Sequence, residues 1–233
     1  MARPTEALPL FPLGHTVLFP GVVLPLHVFE ERYRELVRTL VAQEDPGPRR
    51  FGVVAIRQGW EVGADAVEAL HGVGCAAELR RVSRYPDGRF DIVAVGSDRF
   101  RLLGVDRTTR PYLVGAVEWL PGDPPPGAEA AALARAVGTL FGEYASATAI
   151  LRRTDAGPAP LPELPDDPAE LSHLVASSAV LTLEDRQALL EAPTVPARLR
   201  AELRLLKRET TMVRRLRALP VPIGELQVTQ SLS

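Results

Sequence analysis

The sequence predicts an α+β fold in which an antiparallel β-barrel or sandwich precedes a bundle of four helices. Three observations predict it. At least five strand-like segments, with one helix among them, occupy residues 1–120. A proline-rich segment over 121–127 follows and is interpreted as a stiff linker, since it can neither continue a strand nor begin a helix. Residues 128–218 then show the apolar period of amphipathic helices, and 219–233 form a polar tail that we expect to be loosely held.

The beginning of the β-rich part is predicted as two strands and one helix. Residues 8–13 include Pro9 and Pro12, which cannot donate hydrogen bonds inside a sheet, so this segment is predicted as an edge strand. Residues 16–19 are predicted as a second short strand. A helix is predicted over 29–42, because its apolar residues recur on one face with a 3.6-residue period. That face contains Phe29, Tyr33, Leu36, Val37, Leu40 and Val41.

The later strands are predicted from apolar runs and one turn. Residues 51–57 form a continuous apolar run, which indicates a strand buried on both faces. The turn Pro86-Asp87-Gly88 predicts a β-hairpin, because glycine tolerates the positive φ that such turns need. The strands predicted around and after it cover 73–85, 89–96, 99–105 and 112–120.

The helical half shows recognisable helix starts. Thr182 and Asp185 have the spacing of a variant capping box, and Thr194 is predicted as an N-cap with Pro196 in the first turn. A proline-rich loop is expected over 157–168. The helices are predicted over 128–152, 169–181, 182–191 and 194–218.

Charge is divided unevenly along a chain whose formal net charge is only −2. Residues 118–191 contain 12 acidic and 4 basic residues, whereas 195–217 contain 8 basic and 2 acidic residues. This asymmetry predicts that the basic last helix packs against the acidic helices before it. The chain lacks an apolar run of about 18 residues and a leader pattern, so we expect a cytoplasmic protein without membrane attachment.

The residues that common enzymes need are missing from the sequence. The only lysine, Lys207, lies within a helical pattern, and no nucleotide-binding Gly-x-x-x-x-Gly-Lys motif occurs. The 4 histidines have no metal-ligand spacing, and the single Cys75 lies in an apolar stretch typical of a packed core residue. We therefore expect no catalytic residues, no metal and no cofactor. Purified protein is expected neither to hydrolyse ATP nor to degrade casein.

The first segment resembles a known family. Residues 8–37 have the sequence LPLFPLGHTVLFPGVVLPLHVFEERYRELV, and shorter matches follow at 51–54, 72–74, 87–89, 96–101, 181–191 and 198–203. In this order they are similar to the N-terminal substrate-binding domain of Lon proteases, over about residues 8–217. The resemblance implies a PUA-like β pseudo-barrel followed by a helical bundle. It also implies a stand-alone bacterial relative without the ATPase and peptidase domains, which captures unfolded or degron-bearing polypeptides.

Candidate binding residues follow from residue type and position. Trp60 and Trp119 are candidate anchors for a protein partner, since aromatic residues dominate binding hot spots. A groove or an edge strand would take the polypeptide. The alternative is RNA binding by the basic side of the last helix, although the net charge disfavours it. That side carries Arg200, Arg204, Lys207, Arg208 and Arg215, opposite Leu199, Leu203, Leu206 and Val213. Glu30, Arg32 and Arg99 are predicted to form ion pairs within the chain.

Overall fold

A computed structural model describes residues 5–44, 47–59, 67–151 and 163–216. The chain divides into two compact units, Met1–Asp123 and Pro124–Ser233. The first unit contains the elements β1 (Glu6–Leu13), β2 (Val23–Val28), α1 (Glu31–Val41), β3 (Arg50–Gly59), β4 (Val67–Leu70), β5 (Val73–Arg84), β6 (Phe90–Asp106) and β7 (Val114–Trp119). The second contains α2 (Ala128–Leu151), α3 (Pro168–Ser178), α4 (Leu183–Glu191) and α5 (Val195–Leu216). The division falls inside the proline-rich segment, whose role as a linker stays a prediction.

The strands of the first unit form a closed pseudo-barrel. They pair in the order β1-β7-β6-β5-β3, and β3 then pairs with β1 to complete the ring. The closing ladder is parallel, with Leu10 opposite Gly52 and Leu13 opposite Ala55. The other ladders of the ring are antiparallel. The predicted α+β class, with an antiparallel pseudo-barrel and four C-terminal helices, is confirmed.

The prediction that residues 8–13 form an edge strand is wrong. Strand β1 lies between two neighbours and changes partner at its middle. Its first half, Glu6 to Pro9, pairs with β7, and its second half, from Leu10, pairs with β3. Each half of β1 therefore pairs with one neighbouring strand in these ladders. Pro9 and Pro12, which have no N–H group, are tolerated because each half has this one-sided pairing.

The predicted strand over 16–19 is also wrong, because these residues form no ladder. Val17, Leu18 and Phe19 are all buried. In a strand with one face towards solvent, successive side chains would alternate between buried and exposed. The edge strand is instead β2, which pairs with β6. Pro25 lies in the middle of β2, opposite Val93, in the position that an edge strand permits.

The hairpin prediction at 86–88 is confirmed. Gly88 has a φ of 86°, and its N–H donates to the Tyr85 carbonyl at 3.0 Å. The turn is tied to the helix, because Arg34 Nε of α1 donates to the Gly88 carbonyl at 2.8 Å. The separate strands predicted over 89–96 and 99–105 are one continuous strand, β6, whose pairing with β5 and β7 shifts register at three points. The register shifts let a single strand curve around the barrel.

Burial in the first unit follows most of the predicted pattern. All residues from Phe51 to Ile56 are buried, as the continuous apolar run predicts. The inside of the barrel is filled by Leu8, Leu10, Val54, Ala76, Phe100 and Val117. Helix α1 buries Tyr33, Leu36, Val37 and Leu40. Phe29 and Val41, predicted on the same face, are exposed, so this part of the prediction is wrong.

The second unit is organised by capped helices. Thr182 Oγ1 accepts a hydrogen bond from the Asp185 N–H at 3.1 Å, and Thr194 Oγ1 accepts one from the Ala197 N–H at 3.3 Å. Both predicted N-caps are therefore confirmed. Asp167 caps α3 in the same way, through the N–H groups of Ala169 and Glu170. The packed interior includes Val137, Phe141, Val175, Leu189, Leu199 and Leu206.

Candidate functional site

A groove opens on the first unit where β1, β2 and the start of α1 meet. It encloses about 390 Å³, counting the part that is open to solvent. Because this volume includes open solvent, the feature is an open groove on the surface rather than an enclosed cavity. Its lining is mainly apolar and consists of Phe11, Leu13, Leu26, His27, Val28, Phe29, Glu30 and Tyr33.

Stacked aromatic rings form the base of the groove. The rings of Phe11 and Tyr33 are stacked with their centroids 4.2 Å apart, and Phe51 packs against Phe11 at 6.0 Å. The Arg32 guanidinium lies 4.6 Å from the centroid of the Tyr33 ring and pairs with Glu30 at 3.0 Å. The Glu30–Arg32 ion pair predicted from the sequence is thus confirmed. It holds the charge at the edge of the groove and leaves the base apolar.

A row of exposed rings borders the groove. Phe29 is 53% exposed and Tyr85 is 39% exposed. The His27 ring lies between them, 6.4 Å from the Phe29 ring and 6.1 Å from the Tyr85 ring. The three neighbouring rings form an exposed aromatic surface, and the Arg89 guanidinium lies 5.9 Å from the centroid of the Tyr85 ring. We call Phe29, His27 and Tyr85 the aromatic rim.

Asp91 holds two residues of the aromatic rim, His27 and Tyr85, in place. Its carboxylate accepts a hydrogen bond from the Tyr85 hydroxyl, and its other oxygen lies 2.6 Å from His27 Nδ1. These two contacts, the Tyr85 hydroxyl first, keep the pKa of Asp91 below its ordinary value. The same bond to Asp91 raises the pKa of Tyr85, so the phenol stays neutral at physiological pH. A rim fixed in this way loses little side-chain entropy when a ligand binds.

The exposed edge of β2 is a poor template for an added strand. The backbone of β2 pairs with β6 on one side. The hydrogen bond from the Gly96 N–H to the Val22 carbonyl, just before β2, shows which residues of β2 direct their backbone groups towards β6. In that register Pro25 lies at a position directed away from β6, where an added strand would need an N–H donor. Prolines at edges prevent such pairing. The groove is therefore suited to inserted side chains rather than to strand addition.

From the sequence, the described residues of this unit are expected to hold no metal site and no reactive thiol. No group of His, Cys, Asp or Glu among the described residues could hold a metal ion. Cys75 is completely buried, and burial raises the pKa of its thiol far above the ordinary value, so it stays protonated. It is a packed core residue, as predicted. In the part of the chain that the structure describes, no helix is long and apolar enough to cross a membrane.

Trp119, one of the two predicted tryptophan anchors, does not line the groove. Trp60 lies outside the described residues. Trp119 is half-buried at the end of β7, where its Nε1 donates to Glu6 Oε2 at 2.8 Å and its ring meets Phe100 edge-on. These contacts use the Trp119 ring for packing against the barrel. Arg99, predicted in an ion pair, lies 3.6 Å from Asp123.

The predicted basic surface lies on α5 in the second unit, where Arg200, Arg204, Lys207, Arg208 and Arg215 are all exposed. Several of its charges pair with acidic residues of neighbouring helices, as the charge asymmetry predicts. Arg200 pairs with Glu129 of α2, and Arg208 lies 2.6 Å from Asp185 of α4. Arg208 also pairs with Glu209, whose side chain is buried, so this arginine has a structural role in addition to solvating the helix. Pairing of this kind reduces the positive charge available to a nucleic acid.

Sequence reasoning missed the aromatic rim because it assigned Phe29 to the buried face of α1. The helix begins at Glu31 after the N-cap Glu30, so Phe29 precedes the helix and need not follow its period. The sequence gives no capping signal there, because the Glu30 side chain makes no cap hydrogen bond. Tyr85 and His27 lie 58 positions apart in the chain and give no local sign of being neighbours.

Comparison with known proteins assigns the family. The model of the ATP-dependent protease La (LON) substrate-binding domain matches residues 7–208. Lon protease 1 of Thermus thermophilus is 31% identical over 203 residues, which are 87% of this chain and 24% of that protein. The Lon protease of Koribacter versatilis is 32% identical over 196 residues, 83% of this chain and 23% of that protein. The chain thus spans about a quarter of these relatives.

Solved structures agree with the sequence comparisons. The Lon N-terminal domain protein from Xanthomonas campestris superimposes with a TM-score of 0.59 at 25% identity, covering 87% of this chain and 98% of that one. The N-terminal domain of Mycobacterium avium complex Lon protease gives a TM-score of 0.63 at 18% identity, with the same coverage, and supports the fold. The chain belongs to the Lon substrate-binding domain family.

Proposed function

We propose that this chain binds unfolded or degron-bearing polypeptides by taking their apolar side chains into the groove beside the aromatic rim. The observation that carries the proposal is the exposed Phe29 at an open apolar groove, in a chain that matches a substrate-binding domain over most of its length. We propose further that it holds such polypeptides without cutting them, as an adaptor or chaperone-like holder in protein quality control.

The geometry supports loose selection of apolar residues. The groove has an aromatic base and few polar groups, so it can accept side chains of different shape without leaving a buried polar group unpaired. Burying a large apolar side chain contributes roughly 1.5–3 kcal/mol. One such contact gives weak binding, which suits a protein that must take and release many sequences. Stronger binding would need several apolar residues along one polypeptide.

Replacing Phe29 tests the proposal. Phe29→Ala should weaken the binding of fluorescently labelled casein, an unfolded polypeptide, by about 1–2 kcal/mol, or roughly five- to thirtyfold in Kd, because it removes the exposed wall of the groove. Fluorescence anisotropy measures Kd directly. Phe29 precedes α1 and is largely exposed, so we expect the variant to fold normally.

The matched control is Leu103→Ala, since Leu103 is 55% exposed on β6 and does not line the groove. It should leave Kd unchanged. Equal losses in both variants would refute the groove as the binding site, as would unchanged binding by Phe29→Ala. A salt titration separates the RNA alternative, because phosphate contacts make affinity fall steeply with salt whereas apolar contacts do not.

A further inference from the structure

The buried face of α5 contains several polar residues among its apolar ones. The apolar pattern of Leu199, Leu206 and Val213 is buried, as predicted. The same face also buries four polar side chains, which are exposed to between 0% and 4%: Arg198, Glu202, Glu209 and Thr210. Charged residues are almost never buried this deeply unless they are paired. Each of them therefore needs an electrostatic explanation.

Two of the three charged residues have hydrogen-bond partners. Arg198 Nε donates to Ser172 Oγ of α3 at 2.7 Å. Glu209 Oε1 accepts a hydrogen bond from Arg208 Nε at 2.7 Å. Glu202 differs from both, because neither of its carboxylate oxygens has a hydrogen-bond partner although the residue is only 1% exposed.

An ionised carboxylate is strongly disfavoured at this position. Removing a charge from water without hydrogen-bond donors costs several kcal/mol, and the group keeps its proton instead. Burial accordingly raises the pKa of Glu202 well above its ordinary value, and the positive charge of Arg198, one helical turn away, offsets this only in part.

Among the described residues, the helices packed against α5 bury few other titratable groups. On α2 the buried titratable residue is Tyr144, whose hydroxyl accepts a hydrogen bond from the Val180 N–H. On α3 it is His173, and α4 contributes the uncharged Gln187. Arg198 is the cation that acts on Glu202, and a protonated His173 would add a second positive charge to this interior.

We propose that Glu202 is a proton-dependent lock of the helical unit: its buried carboxyl is held in the neutral form, and loss of the proton loosens the packing of α5 against α2, α3 and α4. The lock is independent of the groove on the first unit and does not rest on its proposed role.

The direction of the pH effect follows from linkage. In the unfolded chain Glu202 has the pKa of an ordinary glutamate, about 4.3. The folded protein keeps this proton to higher pH, so the stabilisation is complete below that value and is lost as pH rises through the pKa of the folded state. Between the two, the unfolding equilibrium constant rises about tenfold per pH unit from this group alone.

Urea unfolding of the intact chain at pH 5, 7 and 9 tests the lock. The signal is circular dichroism at 222 nm, because α2–α5 contribute most of it. Glu202→Gln keeps the shape and cannot ionise. At pH 9 its unfolding equilibrium constant should be at least about tenfold lower than that of the wild type. The difference between the two proteins should shrink towards pH 5. Glu209→Gln is the control on the same helix, because Glu209 has an arginine partner. It should raise the unfolding constant and leave the pH dependence of the wild type in place.

Parallel pH dependence in wild type and Glu202→Gln would overturn the proposal. A second measurement on the wild-type protein covers the case in which the variant does not fold. With ¹³C-labelled glutamate, the carboxyl resonance of Glu202 should have the chemical shift of a protonated acid at pH 7. A shift typical of an ionised carboxylate at that pH would equally overturn the proposal.

Discussion

Gly96→Ala should lower the free energy of unfolding by about 3 kcal/mol or more, because there is no room for a methyl group at this point of β6. A Cβ at Gly96 would lie 2.1 Å from the Phe19 carbonyl oxygen and 2.9 Å from its carbon, both of them backbone atoms. The Gly96 N–H donates to the Val22 carbonyl at 2.9 Å, and the Gly96 carbonyl accepts from the Gly21 N–H at 2.8 Å. The methyl group would separate the strands where these bonds form.

The effect should extend to the groove, since the displaced segment leads directly into β2. Urea unfolding followed by tryptophan fluorescence measures the change, because both tryptophans belong to the first unit. The control is Gly104→Ala on the same strand, where an added Cβ meets nothing within 4 Å. It should change stability by less than about 0.5 kcal/mol. If both variants unfold at the same urea concentration, the close approach at Gly96 does not govern stability.

Leu199→Ala should cost about 2–5 kcal/mol, which is the usual range for truncating a fully buried leucine. Leu199 is 0% exposed on α5, so its removal leaves a cavity that the surrounding helices can fill only in part. The loss should appear as a lower urea midpoint in the circular dichroism signal at 222 nm.

Leu203→Ala is the matched variant one turn further along the same helix. The sequence pattern predicted Leu203 as part of the buried face, but the structure leaves it half-buried while its neighbour Glu202 is buried. Its truncation should cost clearly less, below about 2 kcal/mol. Equal costs for the two leucines would mean that the buried face of α5 is centred differently from the face described here.

Local signals in the sequence were sufficient for several features. The turn at 86–88 needs a residue that tolerates positive φ, which Gly88 supplies, and Thr182 and Thr194 cap their helices through N–H groups three residues away. The segment 8–37 identified the family, because its residues match a known pattern in order. In each case the interaction that matters spans only a few residues, or the pattern itself is long and specific.

Tertiary structure alone decided the closure of the barrel, the groove and the lock. Leu10 meets Gly52 in a parallel ladder, His27 meets Tyr85 across β6, and Glu202 is buried by helices that begin far from it in the chain. An apolar period places residues on a face, but it does not say which neighbour covers that face. Phe29 therefore looked buried, and the sequence pattern gave no sign that Glu202 is buried. Burial is a property of the packed elements together, so the sequence determined which elements form while their packing determined which side chains remain exposed.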